Sequence, residues 1–390
     1  MINKMNDVTV LVTGVGGAAV GNQVLKALRL AERKCRLVAA DASQENLKLA
    51  EVELAYVLPA ASDPRYLDEI VQICRREQVQ VVIPGSEPEL KLLIRFREHL
   101  RSLGILLLTN DRQVIDLCTD KMATYRFLTD HGFPAPRSVL VEKEADITMP
   151  ADFPLILKPA RDSGGSRNVF IAQEEDELLF FARYLLRNTD AVLIQEYVGT
   201  PEDEYTVGIL SGLDGELLGS IALRRLLSDA LSTRLTVPNR TGRNDLGSRL
   251  VISSGFSHGT IQDFSEVRKK CEEMAAALGS RGPLNVQCRV VGGALIPFEF
   301  NPRFSGSTSI RALVDFNEPD LLIRRELWGE KCPRPQFKNG VILRSLKENR
   351  IGTPDDRIAE ELKHSYVGGQ SRPNSEVSAL TSEVGEEAIT

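Results

Sequence analysis

The residues best placed to do chemistry lie in the run Pro297-Phe298-Glu299-Phe300-Asn301-Pro302-Arg303. Glu299 and Asn301 stand two apart on an expected strand, and alternate strand positions share a face, so their oxygens can meet one hard cation. Upstream, Asn285-Val286-Gln287 places a third side-chain oxygen on the preceding strand, because Val290-Val291-Gly292-Gly293-Ala294 reads as a hairpin turn. Gln287, Glu299 and Asn301 are therefore candidate ligands for magnesium, with manganese as a substitute. Water and phosphate oxygens would complete the set, since magnesium seldom takes an all-protein cage. Arg303 opens a small-residue segment, Phe304-Ser305-Gly306-Ser307-Thr308-Ser309, and can set a guanidinium against a terminal phosphate. The plainer alternative is a Glu299–Arg303 pair that only holds a hairpin.

A second group surrounds Lys158, which closes the apolar run Leu155-Ile156-Leu157 and precedes Ser163-Gly164-Gly165-Ser166. Backbone N–H groups in a Gly-Gly turn can close round phosphate oxygens, and a lysine at the strand end adds positive charge. The segment is not a P-loop, because the GxxxxGK[ST] order and its following helix are missing. At the end of another buried strand, Gln195-Glu196-Tyr197-Val198 can offer unpaired backbone groups to an adenine edge, and Glu204 just beyond can accept from ribose hydroxyls. Alone, that stretch reads equally as a linker with solvated acids.

Elements must bring these groups together. Val8-Thr9-Val10-Leu11-Val12 is strand-like, Thr13-Gly14-Val15-Gly16-Gly17-Ala18-Ala19-Val20-Gly21 turns into a helical pattern, and Arg36 to Ala40 form a strand ending at Asp41. Helical spacing at Leu67, Ile70, Val71 and Cys74 precedes another strand at residues 79–84. Short apolar strands alternating with helices indicate a parallel sheet covered by helices. The glycine turn with Asp41 invites a dinucleotide reading, but such a turn is common scaffold for packing helix on strand. The expected domains are an N-terminal α/β domain at 1–115, a linker helix and small α+β subdomain at 116–200, and a mixed-sheet subdomain at 201–345 extending to 369. A disordered tail is expected at 370–390, where apolar periodicity fails. The polar stretch 227–244 reads as a loop able to cover a site.

The totals set limits. A chain of 390 residues can bury two or three proper cores. A net charge of −6, from 48 basic and 54 acidic residues interspersed, gives no electrostatic support to nucleic-acid or anionic-membrane binding. The six cysteines lack a CxxC pair and suggest buried thiols. No leader-like pattern and no 18-residue apolar run is found in the sequence, so a cytoplasmic location is the expectation. Of the histidines only His258, in Gly255-Phe256-Ser257-His258-Gly259, lies near a candidate cleft.

Residues 1 to about 345 resemble an ATP-grasp ligase, particularly the carbamoyl-phosphate-synthase large-subunit-like branch. The resemblance rests on Asp120-Lys121, Leu157-Lys158-Pro159, Ser163-Gly164-Gly165-Ser166, Gln195-Glu196-Tyr197-Val198, Glu204-Tyr205-Thr206-Val207, Asn285-Val286-Gln287 and Glu299-Phe300-Asn301-Pro302-Arg303, in that order. It implies an N-terminal parallel-sheet domain, a small lid domain and a C-terminal mixed-sheet catalytic domain. It implies that Lys121 and Lys158 contact ATP phosphates, that Glu196 to Val198 read adenine, that Glu204 holds ribose, and that Glu299 and Asn301 with Gln287 bind magnesium. Arg303 would support an acyl phosphate or its transfer. The implied reaction joins a small carboxylic acid to an amine or amino acid at the cost of ATP, with Arg224 or Arg225 binding the acid and Asp41, Glu87 or Glu89 available to a cationic amine. A homodimer is compatible with this reading. The chain departs from the branch in carrying one ATP-grasp half and Gly306 after its Asn-Pro-Arg, which argues against carbamoyl phosphate formation.

Overall fold

A computed structural model describes residues 8–16, 19–161, 165–331 and 334–348. These fall into two compact units, one drawn from 8–25, 34–107 and 347–348, the other from 26–33 and 108–346. The expected tail at 370–390, the extension from 349 to 369, and Ser163 and Gly164 lie outside the described residues.

The first unit is built on a five-stranded parallel sheet in the order Leu54–Val57, Cys35–Asp41, Val8–Thr13, Val81–Ile83, Leu106–Leu107. Every residue of Val8–Thr13 is buried, as its continuous apolar run demands of a central parallel strand. The glycines here answer to close approach. A Cβ on Gly21 would lie 2.3 Å from the Thr13 carbonyl oxygen, and one on Gly85 2.0 Å from the same atom. Asp41 holds the turn that follows the first strand: one carboxylate oxygen accepts from the Gly16 N–H at 3.0 Å, the other from the Ser43 N–H at 2.9 Å and the Asn46 amide at 3.0 Å. Glu89 is buried beneath, accepting from the hydroxyls of Tyr66 at 2.9 Å and Ser86 at 2.6 Å. Burial raises its pKa above the ordinary range, against the pull of those hydroxyls. Glu87 pairs with Lys91 one helical turn on.

Among the described residues the second unit holds three sheets, of four, six and two strands. The small sheet runs Ser138–Val141, Val192–Glu196, Leu155–Pro159, Phe170–Ala172, all neighbours antiparallel. Helix Glu175–Leu186 covers one of its faces, burying Leu178, Ala182 and Leu185 against Leu155, Leu157, Val192 and Ile194. The large sheet has six strands, in the order Ala294–Asn301, Pro283–Val291, Glu204–Ser211, Leu217–Arg225, Gly259–Ile261, Gly340–Ile342. Its core face presents Val207, Ile209, Val286, Cys288 and Phe300 to Met274 and Ala275 of helix Ser265–Leu278 and to Phe127 and Leu128 of helix Lys121–Asp130. Gly292 and Gly293, both at positive φ (56° and 84°), make the tight turn between the first two strands.

The stretch 227–244, expected as a loop, contains strand Thr233–Pro238, paired antiparallel with Arg249–Ser253. Its alternation of half-buried and exposed residues explains this. Leu235 and Val237 pack with Leu246, Leu250 and Ile252 on Tyr197 and Ile171 of the small-sheet region, while Arg234 and Thr236 face outward. The five cysteines among the described residues are free thiols, four of them buried. No helix among the described residues is long and apolar enough to cross a membrane.

Candidate active site

Three neighbouring strands of the large sheet present a polar ladder on the face opposite their core. Strand periodicity puts Asn285, Gln287 and Arg289 on one side of Pro283–Val291, and the register sets Glu204 opposite Arg289, Thr206 opposite Gln287, and Gly208 opposite Asn285. On the other flank Gln287 pairs with Glu299 and Asn285 with Asn301, a register irregularity after Gln287 keeping both acceptors in step.

The small sheet faces this ladder across an open cleft whose lining includes Lys121, Lys158, Ser166, Glu196, Tyr197, Val198, Glu204, Gln287, Arg289 and Glu299. Lys158 is 7 % exposed; its ammonium donates to Gln195 Oε1 at 2.8 Å and to the Phe298 carbonyl at 3.4 Å. Gln195 is itself fixed by donating to Ser138 Oγ at 2.9 Å. Burial, and then the nearby Lys121 ammonium, push the Lys158 pKa down to about 8, with Glu299 pulling the other way. Lys121 begins a helix capped by Asp120, which accepts from the Met122 and Ala123 N–H groups at 2.9 Å each and from Arg161 Nε at 2.6 Å. The Lys121 N–H donates to the Ala160 carbonyl, which ties the helix start to the end of the Lys158 strand.

The connection out of the small sheet is held as firmly. Arg137 grips the Glu196 carboxylate with Nε and Nη2 at 3.1 and 3.2 Å. Burial would raise the Glu196 pKa, but this guanidinium outweighs it and holds the carboxyl below the usual range. Tyr197 accepts from the Val251 N–H at 2.9 Å, and Arg289 sits 4.7 Å over its ring while donating to the carbonyls of Val198 at 3.0 Å and Gly199 at 3.3 Å. Ser166 and Gly165 both have positive φ, and the Ser166 hydroxyl reaches the Ser253 carbonyl at 2.8 Å.

The acids and arginines of the ladder are mutually engaged. Glu204, 1 % exposed, accepts from Arg225 on one oxygen at 3.2 Å and from Arg289 on the other at 3.0 and 3.2 Å. The two expected acid-binding arginines point to opposite faces: Arg224 is exposed and donates to the Glu202 carbonyl at 2.9 Å, whereas Arg225 turns inward. Arg225 Nη2 donates to the carbonyls of Ser254 at 2.8 Å and Phe256 at 3.1 Å, and Nη1 to Gln287 Oε1 at 3.4 Å. Gln287 in turn donates its amide N–H to Glu299 Oε2 at 2.9 Å. Its oxygen therefore faces Arg225, and Gln287 orients the carboxylate of Glu299. Asn301 Oδ1 accepts from Arg303 Nη2 at 3.1 Å, and Arg303 Nη1 donates to the Phe304 carbonyl at 3.0 Å.

His258 lies outside this lining. It is 3 % exposed, with Nε2 at 3.0 Å from Asp229 Oδ2. Sequence reasoning passed over Arg289, although it follows Gln287 by two on the same strand. It also passed over Arg344, which donates to the Ser257 carbonyl at 3.0 Å and to the Gly306 carbonyl. Burial and the neighbouring Arg225 charge push the Arg344 pKa down to about 10.

A hard cation fits this donor set. Glu299 and Asn301 supply two oxygens from alternate positions of one strand, and no cluster of three or more His, Cys, Asp or Glu among the described residues offers a fuller cage. Phosphate oxygens and water would have to supply the rest, as is usual for magnesium.

The larger sheet is antiparallel throughout, not mixed as expected from the sequence. This cleft between a small and a larger antiparallel sheet is the ATP-grasp fold, and the chain belongs to the ATP-grasp superfamily. Residues 118–307 match the ATP-grasp domain family, and residues 10–108 the PylC-like N-terminal domain. Among curated proteins, the chain is 31 % identical over 189 residues to a D-alanine–D-alanine ligase of Thermotoga petrophila, covering 47 % of this chain and 58 % of that one. It is 22 % identical over 262 residues to the carbamoyl phosphate synthase large chain of Thermoplasma acidophilum, covering 64 % of this chain and 23 % of that one. It thus spans about a quarter of the synthase and little more than half of the ligase. Among solved structures, an L-amino acid ligase from Bacillus licheniformis superposes with a TM-score of 0.58 at 17 % identity, covering 85 % of this chain and 75 % of that one. Biotin carboxylase from Campylobacter jejuni gives 0.57 at 14 % identity, covering 81 % and 70 %. These matches range across the superfamily and do not single out the carbamoyl-phosphate-synthase branch expected from the motifs.

Proposed function

We propose that the chain is an ATP-dependent carboxylate–amine ligase, joining a small carboxylic acid to an amine or amino acid through an acyl phosphate and releasing ADP and phosphate. The observation that carries this reading is the meeting of Lys158 and Glu299, from two different sheets, in the lining of one cleft. A buried ammonium opposite a carboxylate backed by an amide oxygen suits a polyphosphate chelated to a hard cation, and is costly to maintain without such a ligand. The names of the amino-acid ligases among the relatives favour an amino-acid acceptor.

In this mechanism Lys121 and Lys158 hold the phosphates, and the connection from Glu196 to Val198 reads the base. Glu204 and Arg289 flank the ribose. Glu299 and Asn301 would hold magnesium, which when bound would neutralise phosphate charge and act as a Lewis acid. A carboxylate resists nucleophilic attack because of its own charge. Its oxygen therefore takes the γ-phosphoryl group first, ADP leaving, while Arg303 beside Asn301 stabilises charge on the phosphoryl oxygens. The amine then attacks the acyl carbon, the carbon–oxygen bond to phosphate breaks, and the amine loses a proton. Of the two candidate arginines Arg225 faces the ladder, and its buried Nε has no hydrogen-bond partner among the described residues. It is the one we assign to the acid. The Ser166 loop, resting on Ser253, would exclude water that otherwise hydrolyses the acyl phosphate.

The test is an ADP-release screen of paired acids and amino acids, with product mass measured. ADP release that requires both partners, and a product whose mass is their sum less one water, is the expected outcome. Release with bicarbonate or another small acid alone would replace amide formation by activation of that acid, and tight MgATP binding without release on any pair would make the chain a nucleotide-binding protein.

A further inference from the structure

At the Gly208 end of the ladder, on the same face, lies an ion pair that the nucleotide reading does not use. Arg311 and Glu318 are each 1 % exposed, and Arg311 Nη1 meets Glu318 Oε1 at 2.9 Å. Both are reached by side chains from the site. Arg311 Nη2 donates to Asn285 Oδ1 at 2.6 Å, the same oxygen accepts from Thr206 Oγ1 at 2.9 Å, and Asn285 is the cross-strand partner of Asn301. On the other side, Glu318 Oε2 accepts from Thr308 Oγ1 at 2.9 Å, and Thr308 Oγ1 accepts from the Ser305 N–H at 3.1 Å, two residues beyond Arg303. One buried pair thus grips the strand beside Asn301 and the turn that leaves Arg303.

The surroundings are shaped to admit this pair. Gly208 lies opposite Asn285 in the sheet, and a Cβ there would stand 2.2 Å from Arg311 Nη1 and 2.5 Å from Glu318 Oε1. Arg311 Nε has no hydrogen-bond partner among the described residues, so the guanidinium is not placed to satisfy all its donors there. It is placed to span Asn285 and Glu318 together. Hydrophobic residues could fill this volume with no loss of stability, because removing two ions from water often costs as much as their attraction returns. A buried charge pair here, beside a glycine that leaves room for it, points to a requirement other than stability.

We propose that Arg311 and Glu318 are positioning residues for the metal and phosphoryl end of the site, locking the Asn285–Asn301 rung and the Arg303 turn in one relative register. This rests on the ligase reading, in which Asn301 holds the cation and Arg303 the transferring group. Outer partners of metal ligands change metal affinity by about 10- to 100-fold when removed. The pair touches neither the base nor the ribose positions, so the loss is confined to the metal.

The experiment compares the full chain with the double variant Arg311→Met/Glu318→Leu, which keeps the volume apolar and closed. Binding of metal-free ADP, and of Mn²⁺ in the presence of saturating ADP, is followed by calorimetry and by the Mn²⁺ electron paramagnetic resonance signal. The expected result is a variant that melts at or above the wild-type temperature, binds metal-free ADP within about threefold of wild type, and binds Mn²⁺ at least about tenfold more weakly. Asn285→Ala, which leaves the ion pair intact and removes only its grip on the ladder, shows the same split and decides the matter if the double variant does not fold. Wild-type Mn²⁺ affinity in either folded variant overturns the proposal, as does an equal loss of metal-free ADP binding. Failure of the wild-type protein to bind ADP in any form removes the ligase reading itself, and the positioning role with it.

Discussion

At the scale of single residues the behaviour of the cleft centres on Lys158. A lysine whose pKa is lowered to about 8 by burial carries its charge for only part of the neutral-to-alkaline range. A polyphosphate beside it would favour the charged form, so binding takes up a proton above pH 8. Nucleotide affinity should therefore fall as pH rises from 7 to 9, and calorimetry in buffers of different ionisation enthalpy should register proton uptake growing over that window. Lys158→Met should abolish the pH dependence and weaken binding by roughly 10- to 100-fold, the range for a charge-assisted hydrogen bond. A pH-independent affinity in the wild type would mean that Lys158 does not face the phosphates. The contribution to stability has the opposite sense from that of a paired lysine. With the folded pKa below the unfolded value, burial of Lys158 opposes folding most at low pH, and the penalty is relieved between about pH 8 and 10.5. Much of this neighbourhood is legible in sequence because strand periodicity fixes which side chains share a face: Glu299 with Asn301, and Gln287 beside them. What sequence leaves open is which atoms of a polar side chain are already taken. The Gln287 oxygen facing Arg225, and Glu204 enclosed by Arg225 and Arg289, depend on pairings between strands up to 85 residues apart.

At the scale of elements the site is a ladder of three strands, and its flatness depends on the one position with no side chain. Gly208→Ala would drive a methyl group into the Arg311–Glu318 pair at 2.2 Å. Overpacking of this kind costs about 1–3 kcal/mol, and the strain would fall on Asn285 and the Asn301 strand. The expected result is a lowered melting temperature together with weaker Mn²⁺ binding. If Arg311→Met is combined with Gly208→Ala the methyl group gains room, so the stability loss should be less than the sum of the two single losses. Additivity of the two changes would show that Gly208 and Arg311 do not share this space. The large-sheet strands at 204–211 and 217–225, the strand at 249–253 that pairs with Thr233–Pro238, and the helix at 265–278 stand out in sequence because each carries an apolar run or helical spacing of its own. Strand Thr233–Pro238 does not. It holds only two apolar residues on its buried side, Leu235 and Val237, and its place is set by packing on Tyr197 and Ile171 and by pairing with Arg249–Ser253. A short strand stabilised by distant partners reads as loop until those partners are known.

At the scale of the whole molecule, the two units should report separately on ligand and on pH. The residues that line the cleft all belong to the unit drawn from 26–33 and 108–346, whereas Asp41 and Glu89 belong to the other. A ligand that binds one folded unit stabilises it by mass action, by about 2.7 kcal/mol at a concentration 100 times its dissociation constant. For a unit of some 240 residues that corresponds to a rise of roughly 5–10 °C in its own transition. Glu89 acts on the other unit. Its pKa is raised by burial, so the folded state holds a proton that the unfolded chain gives up; the stability associated with it is full at acid pH and is lost as pH rises above the ordinary carboxyl value of 4.5. Glu89→Gln removes that titration while keeping an acceptor for Tyr66 or Ser86. Calorimetric scans of the full chain at pH 5 and pH 8 should show two transitions. MgADP should raise one at both pH values, and Glu89→Gln should gain on wild type at pH 8 relative to pH 5 in the other only. A single transition moved by both perturbations would show that the two units unfold together, and each assignment would then have to be read from the size of the shift rather than from its place.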